Sequence, residues 1–477
     1  MSPNQTRRGR IVVIAVVLGC LLGAALLDRG GSTDASDASS FIALGPRVPA
    51  ADAAEAAWYC AEGTSNAGGR ADERIFIANI DRRVARARIT VMSGPDQAPT
   101  VSVLEVPPST LASVRVADIL AFPEPGVLVE VTGAQAIVTH SISGNGDAGI
   151  GPCARDASAQ WHFAAGTTVR GAALWLALFN PFGDDAIVDI GFLTNNGPLA
   201  PGELQGFVIP ARSRVTVPVH DQARRDQLVA TEVVARRGRV VAEQSQVLDG
   251  FDGRRGLTLS IGAPQLGRSW DFANGSIVEG RSETLVLANP ETAPTTATVR
   301  TRLDGGALEP ESVQIPARTA VSVDLGSRVP PGIGFSVAGV ARSPIVAETL
   351  TALRAPIPED ARGIATTVGS THSARRWVVS PARVAAESID LVSVLNAGRS
   401  PATFRVRVVG GGRVSRPENA QRLRVAPGRR VLVDLSRVQA TADSIVVIDA
   451  TAPVLVERES SAIPGVSASA AVPDLDR

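Results

Sequence analysis

The chain has 477 residues, 47 basic and 47 acidic side chains, and a formal net charge of zero. That length calls for three or four cores rather than one. Every base is an arginine, and the arginines are scattered, which excludes a basic nucleic-acid stripe and a phosphate-loop lysine. Glycine (45) and proline (32) are frequent and aromatics make up only 4%. Short β-branched runs punctuated by Gly and Pro read as all-β.

Residues 1–10 carry Arg7, Arg8 and Arg10 and are expected to form a cytoplasmic tail. Residues 11–27, "IVVIAVVLGCLLGAALL", carry no charge and approach the shortest span for a hydrocarbon core of roughly 30 Å. With the basic flank held inside, the rest of the chain faces outward. The segment reads as a transmembrane signal anchor, ahead of a cleaved signal peptide or a lipoprotein signal ending at Cys20. Residues 28–56, rich in Gly, Ser, Asp and Ala, read as a flexible stalk, with "FIALGPRVP" inside it as a candidate strand.

Four repeats follow, at 57–157, 158–266, 267–373 and 374–477. Each opens on a tryptophan: Trp58, Trp161, Trp270 and Trp377, spaced 103, 109 and 107 residues apart. An asparagine follows at 21, 19, 19 and 19 residues: Asn79, Asn180, Asn289 and Asn396. Alternating apolar residues before each asparagine predict a strand with one buried face, and the asparagine, followed by Pro181 and Pro290 in the middle repeats, predicts the turn that ends it. Further alternating runs follow in each repeat: "AIVDIGFL", a proline turn with "RVTVPV", "GRVVAEQ", and a Gly-led run such as "GLTLSIGAP". About seven short strands per repeat predict an N-terminal transmembrane helix followed by four tandem immunoglobulin-like β-sandwiches. A β-propeller is the alternative, favoured by an extra partial copy at "FIALGPRVP", because terminal strands overlap when a ring closes.

The order of Trp, Ala-x-Gly, an apolar strand ending in Asn-Pro, then "VIPARS" and "PIVAE" runs resembles a tandem β-repeat of bacterial surface proteins. The whole chain resembles an actinobacterial, membrane-anchored family, domain of unknown function 5719. The resemblance is clearest in "WHFAAG" and "WDFANG"; Ile80, Ala397 and "WVVSPA" depart from it. It implies an envelope-exposed protein and no established activity.

Cys60 and Cys153 open and close the first repeat, and an oxidising compartment predicts a disulfide between them, stabilising by very roughly 3–4 kcal/mol. A metal pair is not expected, for want of nearby ligands. "GNGDAG" at 144–149 fits a phosphate-loop spacing, but no helix follows it, so it reads as a surface loop. Glu243, Glu348 and Glu457 recur at equivalent strand positions, with His140 read as their counterpart in the first repeat. A carboxylate copied three times argues for a structural partner, such as an arginine of the same sandwich. His140, His162, His220 and His372 show no metal-ligand spacing. The tryptophans are expected to pack in cores rather than serve as carbohydrate platforms.

The expectation is therefore a non-enzymatic envelope scaffold or binding protein with no cofactor or metal, held in the membrane through 11–27. Its partner is an envelope glycan or protein and not nucleic acid. The alternative is an enzyme or accessory protein acting on envelope polysaccharide at a site between domains. A phosphatase reporter fused after Arg477 is expected to be active and a cytosolic reporter there dark; the reverse result overturns the outward orientation.

Overall fold

The computed structural model describes residues 46–475 except 51, 145, 252, 354–362, 380–388, 442–443 and 463–464. The expected tail at 1–10 and anchor at 11–27 lie outside the described residues. Among those described, no helix is long and apolar enough to cross a membrane.

The first repeat shows the unit. Its strands are β1 (Glu55–Cys60), β2 (Asp72–Asn79), β3 (Ala85–Met92), β4 (Thr100–Val106), β5 (Leu111–Arg115), β6 (Gly126–Thr132), β7 (Ala136–Gly144) and β8 (Asp147–Pro152). Alternation sets their faces: in β3, Ala85, Ala87 and Ile89 are buried while Arg86 and Arg88 are exposed. The eight strands form two antiparallel sheets, β1-β6-β3-β4 and β5-β2-β7-β8. The other three repeats follow the same order. In the third and fourth, the counterparts of β6 and β7 fuse into single long strands, Ile333–Leu353 and Ile445–Ala462, which pass from one sheet to the other.

Two expectations are corrected here. The immunoglobulin order places the first two strands in one sheet; here β1 and β2 lie in different sheets. The repeats also do not stand in a row. The β8 strand packs against Arg254–Ile261, that strand against Ile364–Val368, that one against Gly465–Ala470, and the last returns to β8. The Gly-led runs therefore meet around one axis in a four-bladed, propeller-like ring in which each blade is a two-sheet sandwich. Side-chain and backbone bonds join neighbours at the axis: Leu257 N–H donates to Asp147 Oδ2 at 2.8 Å, Gly363 N–H to the Arg255 carbonyl at 2.7 Å, and the Thr258 and Thr366 hydroxyls meet at 3.0 Å. The "GNGDAG" stretch is thus a hairpin end whose Asp147 is buried at the axis rather than a free surface loop.

The ring closes through its ends. Val48 N–H donates to the Pro473 carbonyl at 2.8 Å, and Gln135 Nε2 to the Pro49 carbonyl at 2.7 Å. Part of the segment expected as stalk is therefore docked, and Val48 shares a core with Val378, Val447 and Val472 of the fourth repeat and with Trp58 of the first. A closed ring has no free end from which to fray, so the full chain is expected to unfold in one calorimetric transition. A chain ending at His372 exposes the faces buried against the fourth repeat and is expected to lose that transition. Unchanged unfolding of the shortened chain would show that the repeats are independent.

Candidate functional site

The recurrent sequence signals converge on the junctions between repeats. In the first three repeats the tryptophan strand runs into an Ala-x-Gly turn that leaves backbone N–H groups without a sheet partner. The buried glutamate of the next repeat accepts them. Glu243 Oε2 takes Ala61 N–H at 2.8 Å and Glu62 N–H at 2.7 Å. Glu348 Oε2 takes Ala165 N–H at 2.6 Å and also engages Ala164. Glu457 Oε2 takes Asn274 N–H at 2.8 Å and engages Ala273. The partner expected for these carboxylates, an arginine of the same sandwich, is thus replaced by the backbone of the preceding one. The motif glycines follow from close packing: a Cβ on Gly166 would lie 2.7 Å from the Val229 carbonyl, and one on Gly275 would lie 2.5 Å from the Phe335 ring.

At the fourth-to-first junction the first repeat offers no glutamate. Strand register places Thr139 opposite Phe76, three residues before Asn79, as Glu243 lies opposite Ala177, three before Asn180. Thr139, not His140, is therefore the counterpart of the glutamates; the sequence reading was one residue out. Four residues after Trp377, where Glu62, Ala165 and Asn274 follow their tryptophans, stands Pro381, which has no N–H to offer.

The asparagines hold each sandwich internally. In all four repeats the Oδ1 accepts the N–H two residues on, and the Nδ2 donates to the carbonyl four residues on. The same Nδ2 reaches the end of the β4 region: Val106, Ile209, Ile315 or Val425. The four tryptophans are buried, which leaves no ring face for a sugar. Trp161 and Trp377 donate Nε1–H to the carbonyls of Val240 (2.7 Å) and Val454 (2.8 Å).

The first junction also buries a charged cluster. Arg214 Nη2 donates to Glu62 Oε1 at 3.0 Å, Arg70 donates to the same oxygen, and Arg70 lies 4.5 Å over the Trp175 ring. His140 Nδ1 is 3.1 Å from Glu73 Oε1. Its Nε2 is 3.3 Å from Glu243 Oε1, an ion-pair distance without hydrogen-bond alignment. Burial disfavours the His140 imidazolium, but the flanking Glu243 and Glu73 outweigh it and raise its pKa. Burial would likewise raise Glu62, and Arg214 and Arg70 reverse that. Acid, base and cation are together here; Glu62, Glu73, Glu243, His140 and Arg214 are buried, and Arg70 is the partly exposed member at the edge of the cluster. Cys60 and Cys153 form the expected disulfide. His140 approaches both sulfurs, with ligand atoms within 4.8 Å of one another, so a nearby ligand does exist; the thiols are tied up in the bridge. His162 is held neutral by burial, its pKa pushed down to about 4. His220 stacks edge-on to Trp175 with ring centroids 5.2 Å apart.

One junction carries an open polar cavity, between the third and fourth repeats, lined by Arg302, Asp304, Ser336, Arg429 and Arg430. Sequence reading passed over these residues. The available signal was Arg302 itself, thirteen residues after Asn289, where the other repeats carry Met92, Leu193 and Val409.

A model of a family of unknown function, DUF5719, matches residues 145–256 and 252–472. No curated protein matches the chain. Among solved structures, the Thermotoga maritima 1070 protein is 18% identical over 22% of this chain and 93% of its own, with a TM-score of 0.20. The Anabaena sensory rhodopsin transducer is 21% identical over 17% and 90%, with a TM-score of 0.16.

Burial raises Glu348 and Glu457 to about 8 against the pull of the backbone N–H groups, and the second oxygen of each has no hydrogen-bond partner. A carboxyl raised in the folded state stabilises fully below its unfolded value of 4.5, and that stability is lost as pH rises towards 8. Glu73 and His140, both also raised, act with the same sign. Stability is therefore expected to fall between pH 5 and about 8, by on the order of 1 kcal/mol per pH unit while these carboxyls titrate. The double variant E348Q/E457Q keeps an acceptor for the N–H groups and is expected to lose most of the slope in denaturant titrations. A slope equal to that of the natural protein would reject these two groups as its source.

Proposed function

The chain belongs to the DUF5719 family of unknown function, and from that premise we propose that it is a membrane-anchored, extracytoplasmic binding scaffold of the bacterial cell envelope, without catalytic activity of its own. The observation that carries this reading is the use of the recurrent carboxylates: Glu243, Glu348 and Glu457 are buried and hold the ring together. Supporting it are the uncharged segment at 11–27, the Cys60–Cys153 bridge suited to an oxidising compartment, and a closed β framework that carries its sequence variation in surface turns.

The enzyme alternative, a site between repeats acting on envelope polysaccharide, draws its support from the polar cavity between the third and fourth repeats. That cavity gathers arginines around one carboxylate, Asp304, which is ion-paired to Arg430 at 2.8 Å. Neither a second carboxylate across the cleft nor a nucleophile beside a base is among its lining residues. Such a lining suits recognition better than turnover.

Full-length protein in detergent is expected to co-sediment with isolated envelope material without consuming it. The contact turns proposed are 195–202 and the hairpin end at 249–253, of which Asp249, Gly250 and Gly253 are exposed; buried Leu204 and Leu248 beside them are left unchanged. Replacing both turns with Gly/Ser is expected to weaken co-sedimentation at least tenfold while the melting temperature moves by under about 3 °C, as for surface changes of a few tenths of a kcal/mol. Glycan turnover by the pure protein, abolished by one acidic substitution, would replace the scaffold with the enzyme.

A further inference from the structure

Arg302 occupies a position that the other repeats fill with an apolar side chain. It lies thirteen residues after Asn289; thirteen after Asn79, Asn180 and Asn396 stand Met92, Leu193 and Val409. The cross-strand partners agree: Arg302 faces Ser336, while Met92, Leu193 and Val409 face Gly126, Ala230 and Ile445. All three apolar counterparts are buried, and each packs in a cluster that includes residues of the next repeat in the ring. At the third-to-fourth junction this packing is absent, and a cavity of about 260 Å³ stands in its place.

The cavity is built to attract negative charge. Three guanidiniums line it against one carboxylate, Asp304. Arg430 is held by Asp304 through two bonds of 2.8 and 3.1 Å. Arg429 is aimed by neutral acceptors, the carbonyls of Leu303 (2.7 Å) and Gly306 (2.9 Å), which do not offset its charge. Arg302 Nη1 is buried with no hydrogen-bond partner. Asp271 senses the Arg302 charge, but no hydrogen bond or ion pair joins them among the described contacts. Gly428, at φ +66°, turns the backbone close over Arg302: a Cβ there would stand 3.5 Å from its Nε. Burying an unpaired guanidinium N–H is unfavourable, and the three other junctions show that the fold does not need one here.

We propose that this cavity is a binding site for an oxyanion group, a phosphoryl or a carboxylate, received by Arg302 and Arg429 with Arg430 as the fixed wall. A guanidinium presents paired N–H donors that match either group, and the volume admits the anion with a small part of the molecule bearing it. The site stands on the cavity alone and is independent of where the chain is located or whether it contacts the envelope.

The test is calorimetric titration of the full-length protein in detergent with inorganic phosphate, with glucuronate, and with glucose as the neutral control. Saturable one-to-one uptake of phosphate or glucuronate, weakening as salt rises and absent for glucose, is expected, and the stronger ligand identifies the group. R302M, which restores the side chain of the first repeat, is expected to weaken that uptake at least tenfold without lowering the melting temperature; R429A is expected to weaken it too. No uptake of either anion up to 10 millimolar, or undiminished uptake by R302M, overturns the proposal. A lower melting temperature in R302M with unchanged affinity also overturns it, by showing that Arg302 serves the fold.

Discussion

The structure depends on a buried carboxylate that belongs to one repeat and satisfies the backbone of another. At three junctions an Ala-x-Gly turn leaves N–H groups pointing out of its own sandwich, and a glutamate about 180 residues away in sequence accepts them. An unpaired buried N–H is costly, and the glutamate oxygen removes that penalty; the N–H groups in turn offset only part of the cost of burying the carboxyl. Neither repeat is therefore complete by itself. The same contact sets the angle between neighbours, because it joins the end of one tryptophan strand to the middle of the next repeat's inner sheet.

Once that angle recurs, closure follows, and the four junctions need not be alike. The first is charged, with Glu62, Glu73 and Glu243 set against Arg70, Arg214 and His140. The second gathers Ala164, Ala165, Leu193, Val286 and Ala320 in one apolar cluster beside the Glu348 contact and an Arg318–Glu232 ion pair of 2.9 Å. The third carries arginines, in the cavity and in the buried Arg281–Glu459 pair, 2.5 Å apart. The fourth has Thr139 in place of the glutamate, and it gains the segment in which Val48 meets Pro473. A ring made of one covalent chain must close somewhere, and this junction, made between the two ends, departs furthest from the motif.

The sandwich itself was legible because its signals are local. Period-two alternation gives a strand whatever lies on its buried face, and an asparagine followed by proline gives a turn from its own geometry. Repetition then separated structural residues from chemical ones: the four tryptophans are buried in every copy, and the four asparagines make the same bonds. The one-residue slip at His140 has a plain cause. The sequence "QAIVTH" offers a polar residue near the expected place, while register is fixed by pairing with β2, which the sequence does not show.

Sequence alone thus determined the all-β class, the four-part division, the strand-ending asparagines and the pair of cysteines to be joined. Each of these rests on a pattern spanning a few residues or on a count. Tertiary structure decided that the sandwiches close into a ring, that Glu243, Glu348 and Glu457 serve their neighbours' backbone, and that Arg302 lines a cavity with its Nη1 lacking a hydrogen-bond partner among the described residues. Alternation says which face of a strand is buried but not what covers it, and at every junction the covering group comes from another repeat.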